Sequence, residues 1–464
     1  MNRLNRESWP GAGPPRPVRA VHLGLGAFHR SHQAWYTEHA ADPAPWGIAA
    51  FTGRSPAAAT PLGAQGGLYT LVERGPEQDR MEVVSSISAA YDGTDAHAWT
   101  ACFAAAEVAV VTMTVTEAGY HLDAAGHLDL RAPDIAADVA LLRGAGNDVE
   151  VPARTMSGRL TGGLRARRKA GGAPLAIVPC DNLMGNGAAT RTVVHEMCEA
   201  VDPSLARWAA ANVAISSTVV DRITPATTPE DLALVERAIG RQDLAVVVAE
   251  PFHEWVISGE FPAGRPSWEI AGARFVADVA PFAERKLWLL NGGHSLLAYA
   301  GSALGHHTVA SAVADPLCRE WLEQWWDEVA PLLPLPAGEI ASYRVALMQR
   351  FANPRVGYPL SQIAKDGSLK LVQRVMPVIR RYREERKQPP LRAALILGAW
   401  LAHLRGHGAE VDDPRAAQLI PLAAGEPRRA ARAVLDVLDP HLGADRALVA
   451  LVATACREIE GTSA

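Results

Sequence analysis

Short, continuously apolar runs alternate with stretches of helical spacing through the first half of the chain, and this alternation restricts the fold more than any other feature. VRAVHLG (18–24) reads as a strand, FHRSHQAWYTEHA (28–40) as a helix and WGIAAFTG (46–53) as a second strand. EVVSSISA (82–89), VAVVTMTV (108–115), LAIVPCDN (175–182), VAISSTVV (213–220) and LAVVVAEP (244–251) follow. Several are apolar for consecutive residues without a break, as strands are when helices cover both faces of a parallel sheet. The order predicts an α/β fold, with a Rossmann-type doubly wound N-terminal domain carrying extra β structure.

Beyond about residue 284 the texture changes. LCREWLEQWWDEVAPLL, IASYRVALMQRFANP, LKLVQRVMPVIRRYREER, PLRAALILGAWLAHLRG and RRAARAVLDVLDPHL read mostly as helices separated by glycine and proline turns. The expected division is a dinucleotide-binding domain over 1–284 and a mostly α-helical substrate-binding domain over 285–464. With 464 residues, 48% of them apolar, two such cores can be filled.

Composition excludes several function classes. A formal charge of -5 argues against a nucleic-acid surface. The five cysteines, 102, 180, 198, 318 and 456, form no C-x-x-C pair, so neither a disulfide scaffold nor a cysteine zinc site is expected. The opening MNRLNRESWPGAGPPRP has no apolar signal-peptide core, and no unbroken apolar run reaches membrane-spanning length. A cytoplasmic chain without membrane or nucleic-acid partners is expected. His253, His294, His306 and His307 fall into no H-E-x-x-H pattern, so the expected metal set is none, and the lack of a G-x-S-x-G elbow argues against serine hydrolysis.

Two segments carry candidate chemistry. In VHLGLGAFHRSHQ, Gly24 and Gly26 stand at the expected strand-to-helix turn, where a backbone can approach a pyrophosphate. The third glycine of G-x-G-x-x-G is replaced by His29, so the motif alone is weak. Gly24, Gly26, Ala27, Phe28, Arg30 and Arg54 are the candidate cofactor residues; for Arg30 an ion pair is the competing role, and for Arg54 a solvent-facing one. No acidic residue follows the second strand in AAFTGRSP, and Arg54 stands there instead, which leaves NAD and NADP both open.

The other segment is ERKLWLLNGGHS. A lysine against apolar neighbours can exchange a proton with a hydroxyl or carbonyl, with an amide and an imidazole nearby to hold the oxygen. Lys286, Asn291 and His294 are the candidates. Asn291 and His294 share a face in a helix, but Lys286, five residues before Asn291 and eight before His294, fits one helical face loosely. A loop-to-helix junction at Gly292-Gly293, between domains, is expected to gather them. Asn182, just beyond the strand LAIVPCDN, is the fourth candidate, because such positions line the crevice of open α/β sheets.

The chain resembles the long-chain polyol and sugar-acid dehydrogenases of the mannitol dehydrogenase family, which includes fructuronate reductase. The features that carry the resemblance are GLGAFHRSHQ, LYTLVERG, TVTEAGYH, PCDNLMGNG, VVDRITP, EPFHEWV, KLWLLNGGHS and RFANPRVGYPLSQIAKDGSLK, and they span nearly everything from Val21 onward. It implies metal-independent hydride transfer with NAD or NADP, with Lys286 as general acid/base. It further implies that Asn182 and Asn291 hold the reacting oxygen, that His294 orients substrate, and that Asp221 lies near substrate or cofactor. Mannitol-oxidising relatives carry an arginine where this chain has Gln362, and the QIA-x-DGS form resembles the fructuronate reductase branch. Reduction of D-fructuronate to D-mannonate is therefore the expectation, with Gln362, Lys370 and Arg374 as substrate contacts. The alternatives are a mannitol 2-dehydrogenase or related polyol dehydrogenase and, outside enzymes, a nucleotide-binding regulator or structural relative. A monomer is expected, with a dimer as the alternative.

Overall fold

The computed structural model describes residues 3–53, 55–146, 148–386 and 388–462. The chain divides into two compact units, Met1–Val279 and Ala280–Ala464. The division precedes the expected boundary after 284 because the helix Ala280–Arg285 runs straight into the segment that begins at Lys286.

In the first unit, β1 (Val18–Leu23), β2 (Gly47–Phe51), β5 (Ile87–Tyr91), β6 (Val110–Met113), β7 (Leu175–Pro179) and β8 (Val213–Ile215) form one sheet. All its pairs are parallel, in the order β5-β2-β1-β6-β7-β8. Alternate residues of the central strands enter different cores. Ala20, Ile48, Ala50 and Val110 pack on one face; Val21, Leu23, Phe51, Val111 and Met113 pack on the other. This double burial is the reason most positions of these strands are apolar, with His22 and Thr112 as buried polar exceptions. Strand order reverses at β1, so the crevice outside the carboxyl ends of β1 and β6 is the topological switch point.

The extra β structure is two small sheets. One holds β3 (Tyr69–Arg74), β4 (Asp79–Val84) and β10 (Val247–Ala249); the other holds β9 (Ser217–Asp221), β11 (Glu254–Ser258) and β12 (Arg274–Phe275). Two runs expected as single strands are each divided: EVVSSISA between β4 and β5, and VAISSTVV between β8 and β9, with Ser216 at the second break. The helix expected over 28–40 is also two pieces, Ala27–Ser31 and Gln33–Glu38, separated at His32.

The second unit is helical. Leu391–Leu404 is buried without interruption from Ala393 onward and crosses Arg446–Thr462 closely: a Cβ on Gly398 would lie 2.5 Å from that of Ala455. Among the described residues, no helix is long and apolar enough to cross a membrane.

Candidate active site

The chain stays helical from Ala280 through Gly301, so Gly292 and Gly293 do not form the expected loop junction. They are glycines for packing. A Cβ on Gly292 would lie 2.8 Å from Cζ2 of Trp325, and one on Gly293 2.9 Å from Cδ1 of Leu322. The segment instead changes helix type: Lys286–Asn291 is π-helical and Gly292–Leu296 α-helical.

In a regular α-helix Asn291 would stand roughly 140° and His294 roughly 80° around the axis from Lys286. A π turn, bonded i to i+5, takes about 4.4 residues, so the offsets fall to roughly 50° and 10°. The spacing that is awkward for an α-helix thus suits this segment. Lys286 and Asn291 are half-buried and His294 is 7% exposed. The His294 ring stacks on Phe351 with centroids 4.6 Å apart and meets Tyr358 edge-on at 5.6 Å.

A π turn displaces carbonyls from the regular ladder, and buried carbonyls need donors. The adjacent indoles of the helix Pro316–Val329 supply two. Trp325 Nε1 donates to Trp288 O at 2.9 Å and Trp326 Nε1 to Leu289 O at 3.0 Å. Arg374 Nη1 donates to Asn291 O at 3.4 Å and to Ser295 Oγ at 3.2 Å. Arg374 is thus built into the support of this segment, and burial lowers its pKa.

Lys370 and Arg374 share the helix Gly367–Arg374, whose start is pinned by Asp413, which accepts from Ser368 N and Ser368 Oγ at 2.7 Å each. A Cβ on Gly367 would lie 2.5 Å from Trp400 Nε1, so the helix sits tightly on its neighbours. Lys370 Nζ donates to Ile363 O at 3.2 Å and lies 3.9 Å from the Asp366 carboxylate. Its pKa is lowered, chiefly by burial and then by Arg374. Gln362 is exposed on the short helix Leu360–Ala364, beside the carbonyl that Lys370 holds. The second unit therefore assembles Lys286, Asn291, His294 and Arg374 on one support, with Gln362 and Lys370 together on another.

In the first unit Gly24 has φ +106°, and a Cβ there would lie 2.1 Å from Thr114 O, so β1 and β6 can close at the switch point only over a glycine. Gly26 caps the helix Ala27–Ser31, whose first residues include Ala27 and Phe28; nothing but Gly24 O, at 3.6 Å, lies within 4 Å of a Cβ built on it. The turn thus has the glycine approach and the open space that a dinucleotide pyrophosphate requires. At the third-glycine position, His29 stacks on His22 with centroids 3.4 Å apart. His22 Nδ1 and Nε2 lie 2.8 and 3.2 Å from the hydroxyls of Thr112 and Thr114. Burial holds His22 down to about 3 and His29 well below its ordinary value, so the pair packs as neutral rings. Arg30 reaches neighbouring backbone: Nη1 donates to Ala245 O at 2.5 Å and Nε to Gly26 O at 3.2 Å. Arg54 lies outside the described residues.

Asn182 is exposed in the loop beyond β7. That loop is fastened at both ends. Tyr120 donates its hydroxyl to the Asp181 carboxylate, which also accepts from Leu183 N at 3.2 Å. Asn186 Nδ2 donates to Thr218 O at 3.0 Å and its Oδ1 accepts from Thr218 N at 3.1 Å. Burial pushes the Asp181 carboxyl up to about 6, against the lowering effect of Tyr120. Asp221 closes β9 and is buried. Sequence reasoning missed Tyr120, Asp181, Trp325 and Trp326; the one signal for Asp181 is its place beside Asn182 in PCDN.

Residues 18–270 match the mannitol dehydrogenase Rossmann domain and 278–460 the mannitol dehydrogenase C-terminal domain. The chain belongs to the mannitol dehydrogenase family. It is 37% identical over 419 residues to D-mannonate oxidoreductase of Escherichia coli K12, covering 86% of this chain and 84% of that one. It is 35% identical to a mannitol 2-dehydrogenase of Pyrenophora tritici-repentis, over 88% of this chain and 74% of the other. The solved ternary complex of Pseudomonas fluorescens mannitol 2-dehydrogenase with NAD and D-mannitol matches with TM-score 0.82 and 29% identity, over 99% and 98% of the two chains. As a member of the mannitol dehydrogenase family, the protein is an oxidoreductase with a Rossmann-type N-terminal domain and a helical C-terminal domain.

Proposed function

We propose that this family member reduces D-fructuronate to D-mannonate, using NAD(H), with NADP(H) as the alternative, and with Lys286 as general acid/base. The observation that supports this reading is the π turn over Lys286–Asn291, whose period turns Lys286, Asn291 and His294 toward one face. When bound, the nicotinamide supplies the hydride in reduction and takes it up in oxidation. In reduction, the Lys286 ammonium gives its proton to the ketone oxygen as that oxygen becomes an alkoxide. The Asn291 amide donates a hydrogen bond to the same oxygen, stabilising charge as it develops. His294, fixed by Phe351 and Tyr358, orients a substrate hydroxyl. In oxidation the neutral lysine takes the hydroxyl proton.

Support for a sugar acid comes from Gln362 and Lys370. Lys370 gives one N–H to Ile363 O and stands 3.9 Å from Asp366, beyond hydrogen-bond reach, so its other donors can turn to a sugar carboxylate. Glutamine at 362, where mannitol-oxidising relatives have arginine, adds a neutral partner. The similarity to D-mannonate oxidoreductase agrees with this reading, and that to mannitol 2-dehydrogenases supports fructose and mannitol as the second reading. We assign Asp221 to the substrate side and the Gly24–Arg30 turn to the cofactor, in a cytoplasmic monomer. The test is nicotinamide absorbance with fructuronate, tagaturonate, fructose and the matching alcohols, using both cofactors. Highest kcat/KM is expected with fructuronate and NADH; preference for fructose moves the assignment to the second reading, and no turnover with any of them overturns both.

A further inference from the structure

We propose that His306, Asp315 and Cys318 form a binding site for one divalent cation of borderline softness, with Zn2+ the best match. None of the three is among the residues assigned to hydride or proton transfer. Nε2 or Nδ1 of His306, a carboxylate oxygen of Asp315 and Sγ of Cys318 all lie within 4.8 Å of one another. One nitrogen, one oxygen and one sulfur are a donor set that suits zinc and disfavours magnesium or calcium, which take oxygen almost exclusively.

The geometry is close to what the ion needs. Zinc bonds of 2.0 to 2.3 Å in a tetrahedron put donor atoms about 3.3 to 3.6 Å apart. His306 Nε2 and Asp315 Oδ2 are 3.1 Å apart, so they have only to open slightly while the sulfur closes in. Asp315 is already oriented. Its Oδ1 caps the helix Pro316–Val329, accepting from Leu317 N at 2.8 Å and Cys318 N at 3.3 Å, which turns Oδ2 toward His306. The histidine is held by its backbone, with His306 N donating to Gly301 O at 3.0 Å and Leu360 N to His307 O at 3.0 Å.

Access and depth also fit. Cys318 is buried, whereas the His306 and Asp315 side chains keep 22% and 30% of their exposure, leaving a path for the ion and for water as a fourth ligand. The cation would join the turn that follows the long helix begun at Ala280 to the first turn of Pro316–Val329, the helix whose tryptophans brace the π turn. The competing reading is a plain His–Asp ion pair beside an inert thiol. The sulfur distinguishes the two.

Co2+ reports thiolate ligation directly. Titrated into metal-free protein, it is expected to give a near-ultraviolet thiolate-to-cobalt band saturating at one equivalent and abolished by Zn2+. Because the thiol must lose its proton, the band should weaken as pH falls. Cys318→Ala is expected to remove the band. Asp315→Asn, which can still cap the helix, should weaken Zn2+ binding about tenfold or more while leaving circular dichroism and turnover unchanged. No thiolate band, a band that persists in Cys318→Ala, or Zn2+ affinity indifferent to both substitutions would overturn the site.

Discussion

The indole N–H of Trp325 donates to the main-chain carbonyl of Trp288 at 2.9 Å, tying the middle of the π turn to a neighbouring helix. Trp325 is wholly buried, so no water replaces that donor if it is removed. Trp325→Phe keeps most of the packing and removes only the hydrogen bond. A stability loss of about 1–3 kcal/mol is expected from denaturant unfolding. The turn then relaxes toward α geometry, which swings Asn291 away from Lys286. We expect kcat to fall about 10- to 100-fold while cofactor affinity stays within a few fold. Wild-type kcat in a folded Trp325→Phe protein would separate the π turn from catalysis.

Tyr120→Phe probes the loop that carries Asn182. The Asp181 carboxyl is raised in the folded state to about 6 from an ordinary 3.8, chiefly by burial. Its stability contribution is therefore fully present below 3.8 and lost as pH rises through about 6. The Tyr120 hydroxyl offsets part of that loss by donating to the ionised carboxylate. Removing it should cost about 1–3 kcal/mol at pH 8, where Asp181 is charged, and less at pH 5, where it is mostly protonated. Equal losses at the two pH values, measured by denaturant unfolding, would contradict this account.

Lys370 and Arg374 are four residues apart on one helix but differ in their contacts, and we propose different work for them. Lys370→Met should raise KM for fructuronate about tenfold or more and KM for fructose little, because only the acid offers a carboxylate. Arg374→Met should lower kcat for both sugars alike, because its bonds go to Asn291 O and Ser295 Oγ. Steady-state kinetics on both sugars check this. An equal KM effect of Lys370→Met on the two would remove the carboxylate reading.

Much of the first unit is legible in the sequence because a doubly covered strand must be apolar on both sides: Val21 and Phe51 enter one core while Ala20 and Ala50 enter the other. The breaks inside EVVSSISA and VAISSTVV are not legible, since a chain that changes sheets at Ser216 keeps the same apolar texture on either side. Lys286, Asn291 and His294 stand out by residue type, but their geometry does not. No pattern marks an i to i+5 turn, and its supports, Trp325 and Trp326, lie far along the chain on another helix. The glycine pair looks like a break and is instead the floor on which Trp325 and Leu322 pack. For Arg30 the sequence offers a phosphate or an ion pair, and its reach to Ala245 O is not legible because it depends on where β10 returns to the core.

Lys286→Ala tests the central claim most directly. Turnover of the mutant is followed by nicotinamide absorbance in both directions, alongside cofactor binding by fluorescence. The account predicts a fall of about 100- to 10,000-fold in kcat in each direction, with cofactor affinity within a few fold of wild type. Turnover at the wild-type rate in a folded Lys286→Ala protein would mean that the proton moves elsewhere.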